Sequence, residues 1–211
     1  MLAPFEAYLR ERGPELFDLG EPITVARAPA RIDCMGGIAD YSGSVVFEAP
    51  LGRAAVVAFQ PQQGSVLRAR SATLEEAARP AEASVELATL RDGTEALKAY
   101  PELRSILARQ PDRAWAAYLV GTLAVLDREG MRELGSGGAF LLWSDIPIGV
   151  GVASSAALEV AALFAVCSHF GVELPGPRFA ELAQKVENHV VGAPCGIMDQ
   201  VTSALGEEGK L

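Results

Sequence analysis

The sequence is poor in cysteine and histidine, with three cysteines and two histidines among 211 residues. Cys34, Cys167 and Cys195 are an odd number without CxxC spacing, so they indicate neither a disulfide framework nor a structural zinc site. Cys167 lies in an apolar stretch and is expected to be a buried thiol, a common state of free cysteine. His169 and His189 have no second histidine or carboxylate at ligand spacing, and we expect both to be structural or surface residues.

The sequence also lacks long apolar runs and an excess of positive charge. Its richest apolar stretch, Ala156 to Cys167, is interrupted by Glu159 and is shorter than the ~20 residues that a membrane span requires. Basic residues number 18 against 27 acidic ones, and the net charge is -9. We therefore expect a cytoplasmic protein with no nucleic-acid or membrane partner. An anionic ligand would have to be held locally, by backbone amides, a metal ion or single arginines.

Hydrophobic residues make up 50% of the chain, which is enough for one sizeable core. Alternating and apolar patterns predict strands at Ile23 to Ala28, Ser44 to Pro50, Arg53 to Gln60, Gly64 to Arg70 and Gly137 to Asp145, with a weak one at Ser84 to Leu90. Apolar residues at three-to-four spacing predict helices at Met1 to Arg12, Thr94 to Arg109, Asp112 to Glu129, Ser155 to Phe170, Pro177 to His189 and Met198 to Leu205. Asp112 is the expected N-cap of its helix.

Residues 146 to 160, IPIGVGVASSAALEV, place glycines and serines before an apolar helical pattern. Free N–H groups and the positive end of the helix dipole bind anions at such a junction. Gly149 and Gly151 permit a positive φ and a close backbone approach, while Ser154 and Ser155 can cap the helix or offer a hydroxyl to Mg²⁺. The Gly-Lys-Ser/Thr sequence that ends the common P-loop motif is missing. The stretch by itself thus predicts either a helix cap or a phosphate loop.

A second segment, Ala26 to Ser44, leaves a strand as a glycine-containing loop, where ligand-binding residues concentrate. Arg31 and Asp40 flank its glycine pair. Arg31 is suited to neutralising a transferring phosphoryl group, and Asp40 to accepting hydrogen bonds from substrate hydroxyls. The alternative is an ordinary surface Arg–Asp pair in a turn.

A third segment, Lys185 to Glu207, joins two helices through a Gly-Ala-Pro-Cys-Gly turn. Glu187 ends the first helix and Asp199 lies in the first turn of the second, so the turn brings two carboxylates toward one place. Phosphoryl transfer to a hydroxyl uses an acidic residue with a Mg²⁺-linked partner. Alone, Asp199 would equally be a first-turn carboxylate favoured by the helix dipole.

Taken in order, the three segments resemble the GHMP small-molecule kinase family and, within it, the galactokinase-like sugar 1-kinases. The glycine-serine loop is similar to the family's P-x-x-x-G-L-S-S-S-A-A, with Ala153 where the family has its first serine. The resemblance implies an α+β fold like ribosomal protein S5 domain 2, a mixed β-sheet with helices packed on it. It also implies ATP and Mg²⁺ as cofactors, and transfer of the γ-phosphoryl group to the anomeric hydroxyl of a small sugar.

The resemblance assigns roles by position. Asp199 would orient or deprotonate the sugar hydroxyl, Arg31 would stabilise charge beside it, and Ser155 and Glu187 would hold Mg²⁺, Glu187 directly or through water. Contacts with the sugar would come from Asp40, Gly37, Ile38, Tyr41, Cys195 and Gly196. Contacts with ATP would come from Pro147, Gly149, Val150, Gly151, Val152, Ala153, Ser154, Ser155 and Ala156.

The first motif departs from the galactokinase pattern. Galactokinases have G-E-H-T-D-Y where this chain has GGIADY, residues 36 to 41, so Gly37 and Ile38 replace Glu and His. In the family those two side chains face the far end of galactose, including its 6-hydroxymethyl group, which L-arabinopyranose lacks. In a pocket for L-arabinose these two side chains would be left without partners, and an unpaired buried polar group costs ~1–3 kcal/mol. Since MGGIADYSGS itself resembles L-arabinokinases, we predict L-arabinose as substrate, with a D-galactose kinase or a non-catalytic sugar and ATP sensor as alternatives.

Family members continue into a third glycine-rich motif and a C-terminal domain. Residues 1–211 are therefore expected to form the N-terminal domain, without the C-terminal domain that normally closes the cleft, and activity of the isolated chain is not expected. Glu159, one helical turn past Ser155, is expected to have a structural or indirect role rather than to bind the metal itself.

Overall fold

The computed structural model describes residues 2–211, in which one mixed sheet is covered by helices. Its strands, in chain order, are β1 (Thr24–Met35), β2 (Phe47–Gln62), β3 (Val66–Ser71), β4 (Glu82–Glu86) and β5 (Gly137–Ser144). They lie in the order β1-β2-β5-β3-β4. The β3 and β5 strands run parallel, and the other neighbours are antiparallel. The predicted α+β architecture with a mixed sheet is confirmed.

The helices cover both faces of this sheet to different extents. They are α1 (Ala3–Arg12), α2 (Ile38–Tyr41), α3 (Ala72–Glu76), α4 (Leu87–Leu90), α5 (Tyr100–Leu107), α6 (Ala117–Arg128), α7 (Ser154–Phe170), α8 (Gly176–Lys185) and α9 (Met198–Leu205). Short 3₁₀ turns span Gly13–Glu15 and Pro111–Ala116, and a π-helical turn, Val186–Val191, follows α8. Within residues 2–211, no helix has both the length and the apolarity needed to cross a membrane.

The main core lies between one face of the sheet and the helices α6, α7 and α8. Val57 and Phe59 of β2 belong to it, together with Phe140 of β5 and the buried Cys167 of α7. The alternate residues of β2 face a smaller cluster under α1, formed by residues such as Phe5. Because both faces of β2 are covered, its residues 54 to 59 are buried without interruption.

The first two strands are longer than the sequence predicts. We expected a loop from Pro29 onward, but β1 continues to Met35 because residues 31 to 35 pair with residues 47 to 50 of β2. The pairing shifts register between Pro29 and Arg31 and again between Asp33 and Met35. The two strands predicted at residues 44–50 and 53–60 are one strand, β2, held by β1 along one edge and by β5 along part of the other.

Three helix predictions are also corrected. The helix expected at Thr94 to Arg109 is confined to α5, and Asp112 caps nothing, since a 3₁₀ turn precedes α6. The expected helix ending at His189 changes at Lys185 into the π-helical turn. The weak strand expected at residues 84–90 becomes the end of β4 and the short α4. The predictions for α1, β5, α7 and α9 agree with the structure to within two residues.

Candidate active site

Arg31 is the residue on which the three predicted segments converge. It follows the first register shift of β1, and such irregularities re-aim side chains. Its Nε donates to Oδ1 of Asp199 at 2.8 Å and its Nη1 to the carbonyl oxygen of Gly151 at 2.7 Å. The backbone N–H of Arg31 also donates to the carbonyl of Val152 at 3.2 Å. With only 7% of Arg31 exposed, the surface-pair alternative is excluded.

The loop before α7 contains three residues with positive φ, Gly149, Gly151 and Ala153. Gly149 and Gly151 have φ of 77° and 78°, and a Cβ built on either meets nothing within 4 Å. Glycine is therefore favoured at both positions because of the positive φ, and not because a side chain would clash with its surroundings. Ala153, the residue before α7, has φ 55° and makes no side-chain cap. Ser154 and Ser155 are the first residues of α7, so neither is its N-cap, and the simple-cap interpretation is wrong.

Ser155 and Glu187 lie together, although they are far apart in the chain. Glu187 lies on the π-helical turn, and its carboxyl group is near enough to Ser155 for that side chain to affect its pKa. Burial raises the pKa of Glu187, while the nearby Ser155 opposes the rise. A hydroxyl and a carboxylate are hard oxygen donors that fit Mg²⁺. Residues 2–211 contain no group of three or more His, Cys, Asp or Glu side chains arranged for a metal, so nucleotide oxygens and water would have to complete the coordination.

The residues predicted to contact sugar divide into two groups. Asp40 and Gly196 lie in close contact near Asp199: the Asp40 carboxylate accepts from the backbone N–H of Ile197 at 3.1 Å, and a Cβ on Gly196 would come within 1.8 Å of Asp40 Oδ2. Asp40 thus caps the start of α9. The three remaining residues of the first motif, Gly37, Ile38 and Tyr41, lie exposed at the rim, and Ile38 is 86% exposed.

Cys195, the sixth residue predicted to contact the sugar, contacts Glu187. Its thiol donates to Oε2 of Glu187 at 3.5 Å, and its backbone N–H donates to Oδ1 of Asn188 at 2.8 Å. Burial, followed by the charges of Glu187 and Glu159, raises the pKa of this thiol far above its usual range. Cys195 therefore stays a neutral thiol, which is suited to fixing the turn and not to acting as a nucleophile.

The sequence analysis missed a cavity beside the loop. It has a volume of about 220 Å³, and it is lined by Trp115, Tyr118, Leu142, Ile146 and Leu158 with Ser154 and Ser155 at its edge. The indole Nε1 of Trp115 is buried without a hydrogen-bond partner among the described residues. Burial raises the pKa of Tyr118 to about 12. The signal in the sequence was the spacing of Trp115 and Tyr118 at i and i+3, which the prediction of a helix at Asp112 to Glu129 did not use.

Comparison with known proteins agrees with this geometry. Residues 117–207 match the family model for the N-terminal domain of GHMP kinases. Over 96% of its length, the chain is 41% identical to the L-arabinokinase of Arabidopsis thaliana. This chain belongs to the GHMP kinase family. It is also 37% identical, over 94% of its length, to the galactokinase of Streptomyces coelicolor. It covers 21% of the first relative and 45% of the second, less than half of either.

Solved structures show that the fold is that of GHMP kinases. The galactokinase of Lactococcus lactis, complexed with galactose, superposes with a TM-score of 0.75 at 24% identity, covering 96% of this chain and 47% of that one. The mevalonate kinase of Methanococcus jannaschii superposes with a TM-score of 0.65 at 17% identity, covering 88% of this chain and 52% of that one. At these identities the likeness concerns the fold alone.

Two carboxyl groups, those of the buried Glu48 and the half-buried Asp199, share the charge of Arg31. Glu48 Oε2 lies 2.7 Å from Arg31 Nε, but the single hydrogen of Nε is directed to Asp199, so Glu48 is left with a charge contact only. Burial raises the pKa of Glu48 to about 7, with Arg31 opposing and Asp33 adding to the rise. Burial also raises the pKa of Asp199, again opposed by Arg31. A carboxyl group made more basic in this way is better suited to accepting a proton near neutral pH.

Glu48 makes the stability of the chain depend on pH. Since its pKa is about 7 in the folded state against an ordinary 4.5, its contribution is fully present below pH ~4.5 and is lost as the pH rises through ~7. We expect the melting temperature to fall less between pH 5 and pH 8 in Glu48→Gln than in the native chain, as measured by circular dichroism. Glu86→Gln, at an exposed position, is the control. An equal fall in melting temperature between pH 5 and pH 8 for all three proteins would contradict a raised pKa at Glu48.

Proposed function

We propose that this chain provides the ATP-binding and sugar-binding residues of a Mg²⁺-dependent kinase that phosphorylates the anomeric hydroxyl of a monosaccharide. The observation that supports it most directly is the Arg31 guanidinium, which binds the phosphate loop through the Gly151 carbonyl and Asp199 through its carboxylate. A transferred phosphoryl group and the group that receives the proton must lie at such a junction. The kinship with an L-arabinokinase and galactokinases supports the same reaction class.

Each residue of the site has its own role in the proposed reaction. Asp199 orients the sugar hydroxyl and accepts its proton as the oxygen bonds to the γ-phosphorus of ATP. The bond from that phosphorus to the β–γ bridging oxygen breaks, and ADP leaves with the electron pair. Arg31 and the N–H groups at the start of α7 face the developing negative charge. When bound by Ser155 and Glu187, Mg²⁺ would supply further neutralisation of the phosphate oxygens.

Replacing Asp199 tests the proton acceptor. Asp199→Asn keeps the side-chain shape and one oxygen for Arg31 but removes the negative charge, so we expect kcat of the full-length protein to fall by at least ~10²-fold. The dissociation constant of the sugar, measured by calorimetry, should change by less than ~3-fold. The control is Asp18→Asn, outside the site in the part of the chain that packs on Gln60. Turnover retained in Asp199→Asn would remove Asp199 from this role.

We also propose that the cavity under Trp115 holds the base of the nucleotide. It is apolar, it is large enough for a planar ring system, and its edge carries the serines that begin α7. The aromatic rings of Trp115 and Tyr118 form part of its wall and are suited to packing against a base. The base would then lie on one side of Ser154 and the phosphates on the other.

Substitution of Trp115 tests the base site. Trp115→Ala removes the aromatic wall, and we expect ATP to bind ~10-fold more weakly, since one aromatic contact contributes about 1–3 kcal/mol in stacking. Trp115→Phe should retain most of the affinity. The dissociation constant of ATP is measured by calorimetry for the native protein and both variants, because substitution of Trp115 removes the indole that would report binding by fluorescence. Unchanged ATP affinity in Trp115→Ala would place the base elsewhere.

We propose L-arabinose as the sugar. Ile38 presents an apolar side chain where galactokinases have a histidine, so the rim offers the 6-hydroxyl of galactose no partner at this position. Gly37 has φ 51° and ψ -122°, a conformation that a side chain rarely adopts. The loop backbone itself therefore departs from one built to carry a glutamate at position 37.

A coupled assay of ADP release on the full-length protein tests the substrate. We expect faster turnover of L-arabinose than of D-galactose, and Ile38→His should shift the ratio of kcat/KM toward galactose by ~10-fold, the value of one restored hydrogen bond. Ile38→Leu is the matched control and should leave the ratio unchanged. Faster turnover of galactose by the native protein would contradict the choice of arabinose, and binding of both ligands without sugar phosphate would indicate a sensor.

A further inference from the structure

A buried polar cluster lies directly behind the candidate metal ligand. Glu159 of α7 and Gln200 of α9 are fully buried, and Glu187 is nearly so. One amide nitrogen, Gln200 Nε2, donates to Oε2 of Glu187 at 2.7 Å and to Oε2 of Glu159 at 3.2 Å. The cluster thus joins three elements, α7, the π-helical turn and α9, through a single side chain.

Burying the polar groups of this cluster costs desolvation free energy. Among the described residues, neither Glu159 nor Glu187 has an arginine or lysine partner, and both Glu159 Oε1 and Gln200 Oε1 are buried without a hydrogen bond. Apolar residues of similar volume at such positions are often neutral or stabilising. Packing alone does not account for two carboxyl groups and an amide in this place, which points to a functional reason.

The arrangement fixes the direction of the Glu187 carboxylate. The amide of Gln200 and the thiol of Cys195 both donate hydrogen bonds to its Oε2. The other oxygen is then the one left for a metal ion. Gln200 follows Asp199 directly on α9, so holding Gln200 in place also holds the turn of α9 that carries Asp199.

We propose that Gln200, held in turn by Glu159, is a positioning residue that sets the metal ligand Glu187 relative to Asp199. The inference rests on the proposed kinase function, because it assigns Glu187 to Mg²⁺. Glu159 touches neither sugar nor nucleotide in this arrangement, and it acts only by orienting the Gln200 amide. Partners of this kind, one shell behind a metal ligand, typically change metal affinity by ~10–100-fold when they are removed.

Metal-dependent nucleotide binding tests the proposal without turnover. The probe is Mn²⁺, followed by electron paramagnetic resonance on the full-length protein with a non-hydrolysable ATP analogue. We expect Gln200→Met and Glu159→Met to weaken Mn²⁺ binding by ~10–100-fold, with the affinity for the analogue in EDTA changed by less than ~2-fold. Glu159→Gln retains an acceptor oxygen for the Gln200 amide and should restore Mn²⁺ affinity to within ~3-fold of native.

Matched variants separate positioning from loss of structure. Gln184→Met removes an amide that donates to the Cys195 carbonyl of the same turn, but from α8, and it should leave Mn²⁺ affinity unchanged. If Gln200→Met does not fold, Gln200→Asn, whose amide is one methylene too short to bridge both carboxylates, replaces it with the same expectation. Native Mn²⁺ affinity in the folded Gln200 and Glu159 variants would overturn the proposal. A native protein that binds the analogue with no metal dependence would instead overturn the assignment of Glu187, and the proposal with it.

Discussion

The buried guanidinium of Arg31 binds two acceptors that belong to different parts of the chain, the Gly151 carbonyl and the Asp199 carboxylate. A guanidinium is planar and its donors point in fixed directions, so the acceptors it binds are held at fixed angles as well as fixed distances. The register shift in β1 aims the side chain, and the bond from its own N–H to Val152 ties the strand to the loop. This one side chain therefore joins the loop before α7 to the first turn of α9.

The site gathers negative charge that this one arginine does not balance. Glu48 and Asp199 lie against Arg31, and Glu187 and Glu159 lie together behind the start of α7. Burial raises the pKa of each of these carboxyl groups, because the charged form loses its water. In the proposed function, a nucleotide would bring a compensating cation as its magnesium complex. The same burial makes the carboxyl group of Asp199 more basic.

The local patterns predicted the parts of the fold that short-range chemistry controls. The period of apolar residues placed α7 and α9, and the glycines placed the loop, because these signals lie within one turn or one strand. The extension of β1 to Met35 depends on pairing with β2, and the π-helical turn around Glu187 depends on packing against α6, where a Cβ on Gly121 would come within 2.8 Å of Val186. Neither effect has a signature in a window of ten residues. The prediction that Asp112 caps a helix was wrong for the same reason, because a residue suited to capping does not by itself decide where a helix begins.

By itself the sequence indicated the family and the departure at Gly37 and Ile38, and it supplied the prediction of which residues carry the chemistry, because motifs and their order are properties of the chain. The tertiary structure alone decided which of those residues meet. It joined Arg31 to Asp199 across 168 positions, placed Ser155 near Glu187, turned Asp40 toward the start of α9 and opened the cavity beside Trp115. These contacts depend on distances between elements far apart in the chain, which are set by how the sheet and helices share one core.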